Sequence, residues 1–384
     1  MYRQECYKIF SKKSIYLVFI TIVLLLVYVH QLPTDMTMRE SVFEELEETW
    51  GGPVTEEKVE RARESMNAAD AGEVSNHTFE LRATDYVQFL VTGAAMQKQD
   101  QSERLTMLEA EMHDFDEGTY EHREAAIEHD MLQALDDVHG FYLIRSWREM
   151  FELIEPTTHV LLLSILIFLG LSPVFADEYT NRTTDLILAT KHGKTKLVSA
   201  KLLASLSYIV IVFLSLQIIN SFLNLLKFGG IAGWDAPIQG ISSGLDSLSR
   251  LSYDGSPYNF DVWQFFLLTI ALQLFASIAV GVIVLLLSFL TKNTMITFFV
   301  SSIIIATPAL LQQLGTTDGF LGYLTDFSFL KLMQVSTLFT QFQAYNLFDY
   351  PVLYPYLLFI LFAVVTGLLI MLTYRLFRNQ QISH

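Results

Sequence analysis

The sequence predicts an all-α polytopic membrane protein: six transmembrane helices with an inserted helical extracellular domain. Three observations carry that reading. The 384-residue chain is 52% hydrophobic yet has a net charge of -16, and its mean hydropathy is +0.36. Six apolar runs, at 15–30, 157–175, 202–226, 262–290, 294–313 and 355–374, match or approach the roughly 20 residues that cross a bilayer core. Every Asp, Glu, Lys and Arg lies between those runs, so charge is sorted along the chain rather than mixed.

Taken in order, residues 1–31 form a short N-terminal segment and the first span. Arg3, Lys8, Lys12 and Lys13 outweigh Glu5 ahead of it. That start resembles a signal peptide, but Gln31-Leu-Pro-Thr-Asp35 has no small-residue cleavage site, so a retained anchor is expected. Residues 32–156 hold 30 acidic and 10 basic residues, a net -20. Residues 157–384 carry the other five spans, and their 176–201 loop nets +2. Lys292 adds +1, Arg375 with Arg378 adds +2, and the 227–261 and 314–354 loops are each -2. The positive-inside rule therefore puts both termini, the 176–201 loop and Lys292 in the cytoplasm, and the acidic segments outside. Strict alternation of six spans gives the same topology.

The outer region reads as helical. Ser41-Val-Phe-Glu44 is a capping-box pattern, ended by Gly51-Gly52-Pro53. Further helices are expected near 55–69, 78–97, 101–113 and 119–138, with 141–154 leading into the second span. Tyr86-Val-Gln-Phe-Leu-Val91 supplies an apolar face, which favours a folded domain over an acidic tail. The one cysteine, Cys6, lies in the N-terminal segment, so packing alone must hold the outer region together. An exported domain without a disulfide points to a bacterial plasma membrane. Residues 229–261 read as irregular. Residues 314–354 read as an interfacial or re-entrant helix built on Phe327, Leu330, Leu338, Phe339 and Phe342.

Few motifs suggest chemistry. Gly193-Lys194-Thr195 is only the tail of a phosphate-binding loop: the required upstream Gly is Leu188, and no strand precedes it. His122 and His129 are two helical turns apart among carboxylates, which reads as a solvated acidic face rather than a metal site. His77, His113 and His139 are also outer, and His159 starts the second span. Spans free of Asp, Glu, Lys and Arg argue against proton-coupled carriers, intramembrane metalloproteases and voltage sensors. Gln217, Asn220, Gln273, Ser277, Ser301 and Thr307 lie within spans. Singly, each reads as a helix-packing hydrogen bond; together they are candidates for a path taken by an amphiphilic substrate.

The 176–201 loop is the most distinctive stretch. Asp177 and Glu178 open it, followed by Arg182, Asp185 and a short apolar run with Leu186 and Leu188. Thr190, Lys191, His192, Gly193 and Lys194 then close it with a basic turn. An acidic N-terminal flank and a basic C-terminal flank suit a helix dipole.

This loop resembles the membrane subunits of type-2 ABC exporters, in particular a Gram-positive-like subgroup with a large outer insertion after the first span. The resemblance rests on Phe175-x-x-Glu178, the Leu186-to-Gly193 stretch, and Lys194 to Lys201 leading into Leu202. It implies a permease subunit with no catalytic residue, metal or cofactor of its own. Two separate ATPase subunits would bind ATP and Mg, and 176–193 would be the coupling helix seated on them. A second permease copy, or a homologous permease, would complete the membrane unit among lipids, with no nucleic acid involved. Glu178 would pair with a basic ATPase residue or with Arg182. The cargo would be an amphiphile: a peptide, antimicrobial peptide, lipid or drug. The alternative is a membrane-anchored sensor or assembly protein whose acidic outer domain binds a ligand.

Overall fold

A computed structural model describes residues 1–31, 48–70, 79–135, 138–142, 144–154, 157–181, 196–228, 230–241, 252–315 and 319–379. The expected capping box at 41–44, His77, and loop residues 182–195 lie outside this set, as do 242–251. Among the described residues six helices are long and apolar enough to cross a membrane: Lys13–His30, Thr157–Thr180, Lys196–Lys227, Val262–Thr291, Thr294–Gln313 and Tyr354–Arg378. The chain is thus a helical, multi-pass membrane protein by length and composition.

Five of these helices run further than the apolar runs, and the fifth span coincides with its run. The second continues through Asp177 and Glu178, and the third begins at Lys196 and contains Lys201. Hydrogen bonding along a helix does not stop where hydrophobicity does, so charged turns are carried at the helix ends. The sequence reading of spans free of charge holds for the apolar runs and not for the helices built on them.

Helix α1 (Tyr2–Phe10) lies ahead of the first span, α2 (Lys13–Gln31). It packs on the third span, with Phe10 edge-on to Tyr208 at 5.5 Å between ring centroids. The second span is α7 (Thr157–Leu171) followed by α8 (Pro173–Thr180). Pro173 has no N–H to give, and the fourth span supplies what the break needs. Ser288 Oγ donates to Ser172 O at 2.6 Å and accepts from the Phe175 and Ala176 amides. Gly170 lets the second and third spans approach closely: a Cβ there would run into the Tyr208 ring. Tyr208 is fully buried, and its hydroxyl donates to Leu166 O at 2.7 Å. Lys292, in the left-handed region at φ 53°, ends the fourth span, and Asn293 caps the fifth through the Met295 and Ile296 amides. The turn between these two spans is therefore tight.

Between the first and second spans lie α3 (Glu56–Asp70), α4 (Phe79–Asp114), α5 (Tyr120–Gln133) and α6 (Arg145–Ile154). The two helices expected at 78–97 and 101–113 are one. The intervening Gln-Lys-Gln-Asp-Gln holds no Gly or Pro, and Gln99 bonds Glu103 one turn on at 2.8 Å. Two short strand pairs were not anticipated. β1 (Gly52–Pro53) pairs antiparallel with β2 (Gly140–Phe141), tying the two ends of this region together. β3 (Ala344–Leu347) and β4 (Tyr350–Leu353) form a hairpin just before the sixth span. Its turn residues Phe348 and Asp349 both have positive φ, 55° and 64°, as a type I′ turn requires. Ahead of the hairpin, α12 (Gly319–Asp326), α13 (Phe329–Met333) and α14 (Ser336–Phe339) replace the single helix expected there. Leu330, Leu338 and Phe339 are buried in the main core.

Candidate functional site: a buried ion network where the spans end

Helical spacing brings charge into the core at one end of the bundle. On the third span, Leu197, Val198, Lys201, Ala204, Ser205 and Tyr208 form one buried stripe at steps of three and four residues. Lys201 is thus a core position that happens to be a lysine, 1% exposed. On α1, Glu5 and Ile9 share a face one turn apart, and both are buried. On α8, Glu178 points inward, 7% exposed.

The three side chains meet. Lys201 Nζ lies 3.1 Å from Glu5 Oε2 and 2.8 Å from Glu178 Oε1, and donates to the Val174 carbonyl. All three ammonium donors therefore have acceptors. The ammonium also sits 5.2 Å from the centre of the Phe175 ring. Lys8 extends the network, reaching Glu5 Oε1 at 2.6 Å and Glu178 Oε1 at 3.3 Å. Lys12 pairs with Asp177 at 3.0 Å, and Thr294 Oγ1 donates to the other Asp177 oxygen at 2.9 Å. Lys292 closes the rim, 5.0 Å from the Tyr179 ring centre. Within the ion pairs three carboxylates, Glu5, Asp177 and Glu178, face three ammonium groups, Lys8, Lys12 and Lys201, so their formal charges balance, and Lys292 at the rim adds one more positive charge.

The electrostatics agree with the geometry. Burial alone would raise the Glu5 pKa, but Lys201 and Lys8 outweigh it and hold the carboxyl below its usual 4.5. Burial would lower Lys8, and Glu5 and Glu178 together lift it above 10.5. Breaking such a buried pair leaves an uncompensated charge, at a cost of about 3–5 kcal/mol. The network thus pins α1, the end of the second span, the start of the third and the head of the fifth to one another. Beside it a cleft of about 490 Å³ opens between α1 and the second span, lined by Lys8, Lys12, Asp177, Glu178 and Asn181.

The four segments that the charge tally assigned to one side share this end: the N-terminal segment, the ends of the 176–201 loop, Lys292, and the C-terminal segment, whose Phe377 ring lies 5.5 Å from that of Phe175. Of the loop residues singled out in the sequence, Asp177 and Glu178 stand in the network. Arg182, Asp185, Leu186, Leu188, Thr190, Lys191, His192, Gly193 and Lys194 lie outside the described residues. Sequence reasoning offered Arg182 or a partner chain for Glu178, and the geometry puts Lys201 and Lys8 on it. Glu5, Lys8 and Lys12 enter the sequence reading only as charges of the N-terminal segment. The signal that could have found Glu5 and Lys201 is their position on the apolar stripe of a helix.

The polar span residues divide. Gln217 Nε2 donates to Gln273 Oε1 at 3.1 Å, and Gln273 Nε2 donates to Ile154 O and Met333 O. Ser277 bonds back to Gln273 O at 2.8 Å. Asn220 meets His30 Nε2 at 3.1 Å. Ser301 is buried, whereas Thr307 is exposed and bonds back to Ile303 O. Gln217, Gln273 and Ser277 form one hub, Asn220 joins the first span, and Thr307 stands apart. No group of three or more His, Cys, Asp and Glu that could hold a metal ion occurs among the described residues.

Comparison with protein-family models, with curated proteins and with solved structures finds no significant match.

Proposed function

We propose that this chain is the membrane-spanning permease subunit of an ATP-driven transporter, of the type-2 ABC exporter kind, and that it moves an amphiphilic substrate with energy from a separate ATPase. In this reading the ion-network end faces the cytoplasm of a bacterial cell, residues 32–156 lie outside, and residues 176–193 dock on the ATPase. ATP and Mg are held by that partner, and a second permease completes the path.

The observation that carries the reading is the network itself. A docking loop transmits force only if its ends are fixed to what must move. The Glu178 end belongs to the second span and the Lys201 end to the third, and the 2.8 Å pair joins them across the loop. Glu5 adds α1 to the same ammonium. A push on 182–195 would therefore reach both spans and the N-terminal helix together. Such coupling shifts an equilibrium only through differential affinity for the two states, so ATP-bound and ATP-free partners must engage the loop differently.

The test is co-expression with an ATPase encoded beside the gene. In a Cys6→Ser background, Leu188→Cys is expected to cross-link to a cysteine placed in the ATPase surface cleft, with a yield that changes with ATP. Co-purification without any cross-link from 186–193 would contradict the docking assignment, and no associated ATPase would contradict the transporter reading.

A further inference from the structure

At the other end of the spans lies a second cavity, of about 480 Å³, within the roughly 300–1,000 Å³ range of small-ligand sites. Its wall comes from four separate stretches: α4, the segment from α5 to His139, the loop before the fourth span, and the residues ahead of the hairpin. We propose that this cavity binds a cationic group bearing N–H donors, an ammonium, amidinium or guanidinium, carried on an apolar stem.

The walls are held in place before any ligand arrives. Arg104 grips Glu128 with two bonds, at 2.9 and 2.8 Å, so both Glu128 oxygens are engaged. Gln101 Nε2 donates to Leu132 O at 2.8 Å, and its Oε1 lies 2.8 Å from His139 Nε2. The Gln101 oxygen must accept there, so His139 Nε2 carries the proton and Nδ1 is left as a lone pair. His139 is 6% exposed, and that Nδ1 has no partner. Burial, with Lys98 nearby, lowers its pKa and keeps the ring neutral.

What remains unmatched is acceptor capacity. Asp254 Oδ1 is buried without a partner. Burial raises the Asp254 pKa, against hydrogen bonds from Ser252 and Gln97 that lower it. Neither Asp254 nor Asp100 forms an ion pair among the described residues. One carboxylate oxygen and one ring nitrogen are thus buried without donors, the exposed Asp100 adds a second negative charge at the wall, and Leu132, Leu135 and Phe342 offer an apolar flank. A ligand without N–H or O–H donors would leave the acceptors unmet, and a neutral donor would leave the Asp254 carboxylate without a counter-charge. The inference does not depend on the transport reading.

The test uses the full chain in neutral-lipid nanodiscs, with benzamidine, its neutral isostere benzamide, and acetyl-Leu-Arg-Leu-amide as probes in titration calorimetry. Benzamidine is expected to bind at least about tenfold more tightly than benzamide. Asp254→Asn and the exposed Asp100→Asn should each weaken benzamidine, and added salt should weaken it further. Competition by the peptide identifies a basic side chain as the source of the cation, and lack of competition identifies a free small molecule. Either supports the site. Equal binding of benzamidine and benzamide, no saturable binding of benzamidine, or unchanged affinity in Asp100→Asn would overturn it. If Asp254→Asn is not monodisperse, Asp100→Asn decides.

Discussion

The two ends of the span bundle solve the same problem with different chemistry. Both must satisfy polar groups inside a packed core. The end holding α1 does so with full charges, Glu5, Glu178 and Lys201, each depending on the others. The opposite end does so with neutral amides: Gln273 joins the third span, the Ile154 carbonyl and the Met333 carbonyl, and Gln334 bonds Thr157. A neutral hub loses one bond at a time. A charge network is all or nothing, because removing one member strands its partners in low dielectric. The difference marks the neutral end as scaffold and the charged end as the place where a modest perturbation has a large response.

Four changes test that contrast, from the largest effect to the smallest. Lys201→Met leaves Glu5 and Glu178 sharing only the half-exposed Lys8, and should lower stability by up to about 3–5 kcal/mol in thermal unfolding of the detergent-solubilised chain. Combining it with Glu5→Gln and Glu178→Gln should recover much of that loss, which an independent-contact picture does not predict. At the neutral end, Gln273→Leu should cost about 1–3 kcal/mol by leaving the Gln217 amide and two carbonyls unmet. If it costs as much as Lys201→Met, the contrast fails. Gly170→Ala forces a methyl against Tyr208 and should cost about 1–3 kcal/mol through overpacking; retained stability would mean that the second and third spans are looser than described.

The smallest effect is pH. Glu5 is held below 4.5, so its contribution is present above 4.5 and fades as acid lowers the pH through the depressed value. Lys8 is held above 10.5, so its contribution is complete below 10.5 and fades as alkali passes the raised value. Docking of α1, followed by an environment-sensitive label on Cys6, should be flat between those limits. A titration near neutrality would mean that another group governs it.

Much of the fold was legible because bilayer length and charge sorting are strong signals. The six spans follow from runs of apolar residues, and the shared end of Lys8, Asp177 and Lys292 follows from the sign of their segments. What escaped depends on contacts remote in sequence. Glu5 and Lys201 are 196 positions apart, and nothing in either segment alone announces the pair. The β3–β4 hairpin was hidden because its turn uses Phe348 and Asp349 where Asn-Gly would have signalled it. The join of two expected helices into Phe79–Asp114 was missed because a polar stretch was read as a break, although it contains no helix breaker.

The measurement that bears most directly on the proposed role of the charged end is the rate of ATP hydrolysis by the proposed ATPase partner, co-purified with the chain in nanodiscs. The comparison is between wild type and the triple variant Lys201→Met, Glu5→Gln, Glu178→Gln. The account predicts that the triple variant folds and retains the ATPase, but that the chain no longer alters the hydrolysis rate. Wild-type control of hydrolysis in a folded triple variant would contradict it.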